Sequence, residues 1–348
     1  FFQKLIKMGD QEYIKIGAIG CGWITKSMAF LTKLVKNAKI VAATDLVIKN
    51  AERIGGKGHA YTDASEMYAN EDLDAVYIAT PHFLHKPMIQ QALEEGKHIL
   101  CEKPVSISVQ DAREIKQMDQ KYSNLKLGFN YDRRYNYGCY KMASAVQSGH
   151  LGEVYFASCN SYYSRDLTYF EKGPWRSEKE KSGGGTLLIH ASHMIDILCW
   201  ALGEPKSIQG KIATKKFKNI NVEDLGMGIL EFENGVLAQI NGSMIVKPKI
   251  NRFSDQEEIQ IFGQDGRVHY SGMAPFSKLK FHGVKNYKIE RINRGFHSLM
   301  RSMKAFADWI LNDQPFFNTI DESSKALRVV MGLYKSSETG KVEPIEKL

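Results

Sequence analysis

The chain has 348 residues, which is long enough for two domains that each bury a core. With 43% hydrophobic and 25% charged residues, its composition is that of a globular protein and argues against disordered, collagen-like and coiled-coil classes. The net charge of +8 is spread along the sequence. Because nucleic-acid-binding proteins gather their basic residues into a patch, we expect no nucleic-acid partner.

The apolar runs and the cysteines favour a cytoplasmic protein without a membrane partner. A membrane span needs about 20 consecutive apolar residues, and the most apolar run, 195–202, is short. Residues 1–8 contain lysines and no small-residue cleavage site, which argues against a signal peptide. The five cysteines are far apart and form no CxxC motif, a pattern typical of reduced thiols rather than of a disulfide framework.

The first 130 residues alternate short apolar runs with helix-like stretches. The runs predict strands at 14–19, 39–44, 75–79, 99–101 and 125–129, and the intervals predict helices at 24–34, 86–95 and 109–121. Strands that are apolar on both faces and separated by helices are typical of a buried parallel sheet. We therefore predict an α/β Rossmann domain with a doubly wound parallel sheet at 1–130.

After residue 149 the pattern changes to alternating apolar and polar residues. It predicts strands at 153–161, 207–214, 227–233, 236–244, 257–262, 267–270 and 279–282, with tight turns at 233–236 and 264–267. Helices are predicted at 186–202, 296–311 and 321–339. The prediction is an α+β domain with a large, mainly antiparallel open sheet at 131–295, which binds substrate, and C-terminal helices at 296–348 that pack back on the body.

An open sheet with helices on one side leaves its second face to solvent or to a partner. The strand segments 228–232 and 236–240 are apolar enough for a second subunit to cover that face. We therefore expect a homodimer or a homotetramer.

A glycine-rich turn follows the first predicted strand and opens a helix, with the sequence Gly20-Cys21-Gly22-Trp23-Ile24-Thr25. Glycines let the backbone approach a pyrophosphate, and the helix N-terminus offers free N–H groups. Asp45, at the end of the second strand, can accept bonds from both ribose hydroxyls and would repel a 2′-phosphate. The cofactor indicated is NAD, with NADP possible because Lys49 and Arg53 lie nearby.

Two further motifs follow strands at the ligand-binding edge of the predicted sheet. Thr80, Pro81 and His85 come after the strand at 75–79, and Glu102-Lys103-Pro104 comes after the strand at 99–101. The proline restricts Lys103 to an extended conformation, and a lysine beside a positive nicotinamide should have a depressed pKa that suits proton transfer. The alternative is an exposed Lys103 paired with Glu102.

A third motif is the run Ser182-Gly183-Gly184-Gly185, which leads into His190, His193 and Asp196. Their spacing of three predicts one helical face, although buried, hydrogen-bonded histidines are the ordinary alternative. Zinc is a further reading, because His82 and His85 add two imidazoles. No HExxH or similar signature occurs, so we predict no metal.

Together these motifs resemble the glucose–fructose oxidoreductase, inositol dehydrogenase and MocA-like (Gfo/Idh/MocA) family. The motifs that carry the resemblance are Gly20-Cys21-Gly22, Ala79-Thr80-Pro81 with His85, Glu102-Lys103-Pro104, Gly128-Phe129-Asn130, Trp175-Arg176 and the glycine run through His193 and Asp196. The resemblance implies a hydride transfer between NAD or NADP and a secondary hydroxyl or ketone of a sugar, cyclitol or sugar derivative. It implies that His193 takes the hydroxyl proton and that Lys103 holds and polarises the oxygen.

The resemblance also implies cofactor and substrate residues. The cofactor set is Gly20, Gly22, Trp23, Ile24, Asp45, Thr80, Pro81, His85, Glu102 and Lys103. The substrate set is Lys103, Tyr131, Arg134, Trp175, Arg176, His190 and His193. Tyr131 and Arg134 enter because the stretch 130–135 is one residue longer than the family's Asn-x-Arg-Phe run.

One departure from the family pattern keeps other functions open. Ile189 stands four residues before His193, where many relatives carry Asp or Asn, and isoleucine can neither orient a sugar hydroxyl nor tune the histidine. The alternatives are an NAD-dependent glycosidase that oxidises its substrate transiently, and a non-catalytic protein that binds a dinucleotide.

Overall fold

The computed structural model describes residues 12–247, 255–273, 276–284, 290–292 and 297–348. The expectation about a signal peptide at residues 1–8 lies outside these residues. The helices are α1 Trp23–Thr32, α2 Ile48–Gly55, α3 Ala64–Asn70, α4 His85–Glu94, α5 Val109–Lys121, α6 Tyr137–Gln147, α7 Leu167–Glu171, α8 Lys179–Ser182, α9 Ser192–Leu202, α10 His297–Asn312 and α11 Ile320–Thr339. The strands are β1 Ile14–Ile19, β2 Ala38–Thr44, β3 Ala60–Tyr61, β4 Ala75–Ile78, β5 His98–Cys101, β6 Leu127–Phe129, β7 Val154–Tyr162, β8 Pro205–Ala213, β9 Leu225–Phe232, β10 Leu237–Ser243, β11 Gln256–Gly263, β12 Gly266–Met273, β13 Phe276–His282, β14 Glu290–Ile292 and β15 Glu343–Pro344.

The chain forms two compact units. Unit 1 contains the described residues up to Val105, together with Asp111–Asp132 and Leu299–Ile320. Unit 2 contains Ser106–Gln110, the described residues of Arg133–Ser298, and Asp321–Leu348. The C-terminal range that the sequence groups as 296–348 therefore contributes α10 to unit 1 and α11 to unit 2.

Unit 1 is built on a six-stranded sheet with the order β3-β2-β1-β4-β5-β6, and all of its strand pairs are parallel. The central strands β1, β4 and β5 are almost entirely buried, because helices cover both faces of a doubly wound sheet. The predicted Rossmann fold is confirmed. Its ligand edge lies at the carboxyl ends of the strands, where the segments after β1, β2, β4 and β5 begin.

The segment Leu299–Ile320 completes unit 1 beside β6. The Phe129 amide donates to the Asn318 carbonyl (2.9 Å), and the Phe316 ring lies over Gly128, where a Cβ would be 2.5 Å from it. The Asn37 side chain also donates to the Asp308 carboxylate (2.6 Å). These bonds attach a segment that is distant in sequence to the edge of the sheet.

Unit 2 is built on a nine-stranded sheet with the order β14-β13-β12-β11-β7-β10-β9-β8-β15. The predicted turns at 233–236 and 264–267 join β9 to β10 and β11 to β12 as antiparallel hairpins. One strand pair is not antiparallel: β7 and β10 are parallel. The predicted α+β class with a mainly antiparallel sheet is confirmed.

Glycines let helices approach the inner face of this sheet closely. A Cβ on Gly226 or Gly242 would overlap the Leu187 side chain, at 2.5 and 2.8 Å, and one on Gly210 would lie 3.1 Å from Leu333 in α11. The helical region that carries Leu187 therefore lies directly on the strands.

Among the described residues, one helical stretch, Lys179–Leu202, is long and apolar enough to cross a membrane by length and composition alone. Its apolar window is 89% buried inside the protein, as expected for a core helix. The five cysteines are all buried and free, which agrees with the reduced thiols predicted from their spacing.

Candidate active site

The glycine-rich turn between β1 and α1 has the geometry of a phosphate cradle. Gly20 has a φ of +85°, and a Cβ there would lie 2.8 Å from the Ala79 carbonyl oxygen, so only glycine fits. A Cβ on Gly22 would meet nothing within 4 Å. Trp23 and Ile24 begin α1, whose first N–H groups receive no side-chain hydrogen bond from the N-cap residue Gly22. The arrangement fits a pyrophosphate.

Thr25, in the first turn of α1, bonds the helix to the glycine turn. Its side chain is fully buried, and its hydroxyl donates to the Gly20 carbonyl (2.5 Å). This hydrogen bond fixes the start of α1 against the turn.

Asp45 at the end of β2 holds the same turn. Its carboxylate accepts the Cys21 amide (2.8 Å) and the Val47 amide (2.9 Å), one on each oxygen. Burial raises the pKa of the neighbouring Cys21 thiol to about 12, so this thiol stays protonated. A half-buried carboxylate at this position suits ribose hydroxyls.

His85 does not face a ligand, which corrects its place in the predicted cofactor set. The side chain is fully buried, with Nδ1 2.8 Å from the Pro104 carbonyl and Nε2 3.2 Å from the Thr80 carbonyl. The imidazole thus joins the segment after β4 to the segment after β5. The Thr80 hydroxyl is buried without a hydrogen-bond partner in this structure, so a ligand at that segment would find a free polar group.

The segment Glu102-Lys103-Pro104 is fixed on both sides of the lysine. The Glu102 carboxylate is buried and accepts the Tyr77 hydroxyl (2.5 Å) and the Asn130 amide (2.6 Å), and burial raises its pKa. The Lys103–Pro104 peptide bond is cis. Lys103 itself is half-buried at the carboxyl end of β5, which is not the position of an ordinary surface lysine.

The burial of His85 predicts a specific pH dependence of stability. Desolvation lowers its pKa from 6.5 to about 4, so between these values the unfolded chain binds the additional proton. The free energy of unfolding should therefore fall as the pH falls from 6.5 to 4, by at most about 3 kcal/mol from this residue. Urea denaturation across this range should show a smaller fall in His85→Asn than in the wild type.

The matched control for His85→Asn is His59→Asn, because the His59 side chain is 58% exposed in the same unit. His98 keeps its own contribution in all three proteins, since burial lowers its pKa to about 4 as well. Equal losses of unfolding free energy in wild type and His85→Asn between these pH values would show that His85 is not buried as a neutral imidazole.

In unit 2 the histidine-bearing helix begins with a π-helical turn, Leu187–Ala191, and continues as α9. A π turn takes more residues than an α turn, so the spacing of three across it does not keep side chains on one face. His190 is buried and stacks on Tyr163, with centroids 4.5 Å apart. His193 is half-buried, whereas Asp196 is fully buried. The predicted single face therefore fails for His190, which lies in the π turn, whereas His193 and Asp196 keep their spacing of three within α9.

The glycine run 183–185 packs around the carboxylate of Glu223, a residue that was not predicted from the sequence. Buried Glu223 accepts the Gly185 amide (2.7 Å), the Leu187 amide (2.9 Å) and the Tyr334 hydroxyl (2.9 Å). A Cβ on Gly184 would lie 2.0 Å from that hydroxyl, and one on Gly185 would lie 1.9 Å from the Glu223 carbonyl oxygen. The glycine run therefore orients the start of the helix that carries His190 and His193. In the sequence, the acidic pair Glu223-Asp224 was the only indication of this carboxylate.

Arg134 and Tyr131 are not substrate-facing as predicted, because both side chains are fully buried. The Arg134 guanidinium donates to both carboxylate oxygens of Asp196, at 2.8 and 2.7 Å, and contacts Glu322. Tyr131 lies in unit 1, where the Asn318 side chain donates to its carbonyl (3.1 Å). The Arg134 side chain is therefore a structural group of unit 2, and the Tyr131 side chain lies in the interior of unit 1.

Trp175 and Arg176 are half-buried in a short 3₁₀ turn, Pro174–Ser177. The Arg176 guanidinium lies over the Trp175 ring and the Tyr169 ring, 4.9 Å from each centroid. Tyr169 also contacts His190, with centroids 5.5 Å apart. Tyr169 thus connects three of the predicted substrate residues of unit 2, which are Trp175, Arg176 and His190.

No group of three or more His, Cys, Asp or Glu side chains that could hold a metal ion is found among the described residues. The His82 and His85 rings, which the sequence offered as a zinc pair, are 5.7 Å apart and tilted by 56°. Both His85 nitrogens already lie against carbonyls.

Comparison with known proteins decides the family. The profile described as "Oxidoreductase family, NAD-binding Rossmann fold" matches residues 14–131, and the "GFO/IDH/MocA C-terminal domain" profile matches residues 140–269. The chain belongs to the Gfo/Idh/MocA oxidoreductase family. Its members among the relatives below act on sugars, and the NAD-binding Rossmann domain is unit 1.

The relatives include enzymes whose names specify sugar substrates. A 1,5-anhydro-D-fructose reductase of Ensifer adhaerens is 31% identical over 193 residues, 55% of this chain and 57% of that protein, so this match spans less than two thirds of its length. A glucose-6-phosphate 3-dehydrogenase of Bacillus subtilis is 29% identical over 271 residues, 74% of each chain. The WlbA dehydrogenase of Bordetella pertussis, solved with NADH and UDP-GlcNAcA, shares the fold with a TM-score of 0.82, 24% identity and coverage of 96% of this chain and 99% of that one.

Proposed function

We propose that this family member is an NAD-dependent dehydrogenase that oxidises a secondary hydroxyl of a sugar, cyclitol or sugar derivative, or reduces the corresponding ketone. The observation that carries the proposal is the geometry of the glycine turn. Gly20 has a φ of +85°, and the Asp45 carboxylate accepts the Cys21 amide. The turn stands at the sheet edge from which Lys103 emerges. The family and the relatives' names supply the reaction class.

In this proposal each residue has one chemical task. When bound, NAD would supply the hydride acceptor and NADH the hydride donor. The ammonium group of Lys103 donates to the reacting oxygen and polarises it, and His193 accepts the hydroxyl proton or returns it to the ketone. Trp175 and Arg176 orient the sugar, since aromatic faces and guanidinium groups bind rings and hydroxyls. Ile189 cannot bind a hydroxyl, so the sugar is recognised by a different polar pattern from that of the family's Asp-bearing members.

Removal of the Asp45 carboxylate should change both cofactor affinity and cofactor choice. Because Asp45 fixes the turn and would repel a 2′-phosphate, Asp45→Ala should weaken NAD binding by roughly 10- to 100-fold, the usual size of a lost charged hydrogen bond. NADP binding should weaken less, so the ratio of the two affinities should shift toward NADP. Calorimetric titration with each cofactor measures both.

Asp63→Ala is the matched control for this variant. Asp63 also lies in unit 1, where its carboxylate accepts a backbone amide, that of Ser65 (2.6 Å), at the start of α3. Its loss should leave both cofactor affinities at the wild-type values. Equal effects of the two variants on NAD would assign Asp45 a purely structural role.

The reaction class is tested with a panel of sugars, cyclitols and glycosides incubated with NAD. A dehydrogenase forms one NADH for each ketone. Release of free sugar from glycosides without net NADH would instead identify an NAD-dependent glycosidase. No reaction with any member, together with tight NAD binding, would favour a non-catalytic dinucleotide-binding protein.

We further propose that the open sheet of unit 2 forms a homodimer or homotetramer. Its outer face exposes Met227, Ile229 and Leu237, whose side chains are 51%, 59% and 49% exposed. They lie on the neighbouring strands β9 and β10 and form an apolar surface that a second copy could cover. Ile229→Asp should shift the mass measured by light scattering toward the monomer, and a wild type that is itself monomeric at micromolar concentration would contradict the proposal.

The remaining expectations concern location and partners. We propose a cytoplasmic enzyme with a small-molecule, sugar-like substrate and no membrane or nucleic-acid partner. The free cysteines and the dispersed charge support this. Fractionation of cells that produce the protein tests it.

A further inference from the structure

A cavity of about 290 Å³ lies in unit 2. It is formed by the segment that follows β7, by residues 245–247 after β10, and by Lys216. A β-bridge between Ser164 and Ile245 joins the two segments. The volume is at the small end of the range for ligand pockets, about 300–1,000 Å³, so the cavity suits one polar group of a ligand rather than a whole nucleotide.

Cations outnumber carboxylates around this cavity. Arg165, Lys216 and Lys247 line it together with one carboxylate, that of Asp166. Asp166 is exposed to solvent, and its carboxylate accepts the Thr168 hydroxyl (2.6 Å). A second carboxylate, Asp255, pairs with the Arg165 guanidinium at 2.8 and 3.1 Å. The two lysines therefore leave an excess of positive charge that a neutral sugar would not compensate.

The position of Lys216 is set by the backbone around it. The buried Asp224 carboxylate accepts the amides of Lys215 (2.8 Å), Lys216 (2.7 Å) and Phe217 (3.1 Å). The negative charge of Asp224 is therefore stabilised by three backbone amides. The Lys216 ammonium donates to the Arg165 carbonyl (3.1 Å), and an ammonium has three donors, so it can also bind an anion in the cavity.

One aromatic layer connects the cavity to the candidate substrate residues. The Arg165 guanidinium lies over the Tyr163 ring at 5.2 Å and over the Tyr169 ring at 5.5 Å. Tyr163 stacks on His190, and Tyr169 contacts His190 and Arg176. Arg165, which lines the cavity, is thus connected to His190 and Arg176 through Tyr163 and Tyr169 within a single unit.

We propose that the substrate is a sugar phosphate, a phosphate monoester whose phosphoryl group binds Lys216, Lys247 and Arg165. This inference rests on the proposed function. Lysine ammonium groups bind phosphate as point charges, and a cleft with cationic walls raises the local concentration of an anionic substrate. The sugar ring then lies toward Arg176 and His190. A nucleoside diphosphate sugar presents the same phosphoryl chemistry but exceeds the cavity.

The test is a calorimetric titration of the NADH-loaded protein, in which an alcohol substrate is bound but not oxidised. The probes are D-glucose 6-phosphate, D-glucose and UDP-glucose. We expect D-glucose 6-phosphate to bind tightest and its affinity to fall with rising salt. Lys216→Ala and Lys247→Ala should each weaken its binding by roughly 10- to 100-fold and leave the affinity for D-glucose unchanged.

Lys36→Ala is the control, because it removes the same charge from an exposed site in unit 1 and should change no affinity. Equal binding of D-glucose 6-phosphate and D-glucose, or equal binding by wild type and both lysine variants, would overturn the inference. Tightest binding of UDP-glucose with the same lysine dependence would overturn the monoester assignment in favour of a diphosphate.

Failure of this inference and failure of the proposed function give different results. A protein that oxidises neutral sugars with NAD and ignores phosphate retains the function and loses the inference. A protein that binds D-glucose 6-phosphate through both lysines but forms no NADH with any sugar retains the inference and loses the function.

Discussion

Lys103→Ala is expected to lower turnover by about 10²- to 10³-fold, the usual cost of removing a donor that stabilises developing charge on a reacting oxygen. The side chain stands between two fixed points: Glu102, held by Tyr77 and Asn130, and Pro104, whose carbonyl lies against His85. Removal of the ammonium group leaves both points in place, so NAD affinity and stability should stay close to the wild-type values. Steady-state kinetics on the substrate that the panel identifies, with calorimetry for NAD, gives the measurement.

The control for this loss lies at the other end of the same strand. Lys97 directly precedes β5, and its ammonium donates to the Leu73 carbonyl (3.0 Å). It carries the same charge, but at the amino end of the parallel sheet, away from the ligand edge. Lys97→Ala should keep wild-type turnover. Full turnover in Lys103→Ala would disprove the role that we assign to this residue.

Asp196→Ala is expected to lower the free energy of unfolding by about 3–5 kcal/mol, because it leaves the guanidinium of Arg134 buried without its main counter-charge. Both side chains are fully buried and joined by two hydrogen bonds. The Glu322 carboxylate remains 3.3 Å from the Arg134 guanidinium, but the Glu322 side chain is 36% exposed, so its charge is more strongly screened by solvent. Urea denaturation followed by circular dichroism measures the change.

Two further variants separate the charge from the packing. Arg134→Met with Asp196→Leu replaces the pair by apolar side chains, and we expect this double variant to be more stable than Asp196→Ala, as for other buried pairs. Glu231→Ala breaks an exposed pair with Lys206 and should cost less than about 1 kcal/mol. An Asp196→Ala protein as stable as the Glu231→Ala protein would contradict the buried ion pair.

The strands of unit 1 were predictable because each is a short apolar run with a turn signal at its end. The prediction of 14–19 for β1 agrees with Ile14–Ile19, and the other predicted strands agree to within one or two residues at each end. The two-residue strand β3, Ala60–Tyr61, escaped prediction, because a strand this short has no periodicity. Its pairing with β2 exists only in the folded sheet.

The candidate site was predictable where chemistry is local in sequence and not where it depends on distant partners. The glycine turn and Asp45 were correctly brought together, since strand–turn–helix geometry places them. Arg134 was assigned to the substrate because the stretch 130–135 is one residue longer than the family's Asn-x-Arg-Phe run. Its actual partner, Asp196, lies 62 positions away, and nothing in either local sequence indicates the pair.

The histidine helix shows a second limit of sequence periodicity. The spacing of His190, His193 and Asp196 indicated one face under the assumption of a regular α-helix. The π turn at Leu187–Ala191 breaks that assumption, and it lies directly after the glycine run where Glu223 binds the free amides. A buried carboxylate 36 to 38 positions away therefore shapes the start of this helix.

The proposed reaction passes a hydride between a sugar carbon and NAD. Deuterium transfer measures this step: the protein is incubated with NAD and sugars that carry deuterium on the carbons bearing their hydroxyls, and the nicotinamide is analysed by mass spectrometry. We expect one deuterium in each reduced nicotinamide, matched by one ketone in the sugar, and loss of this transfer in Lys103→Ala. Reduced nicotinamide without deuterium, or ketone formation that does not require NAD, would contradict it.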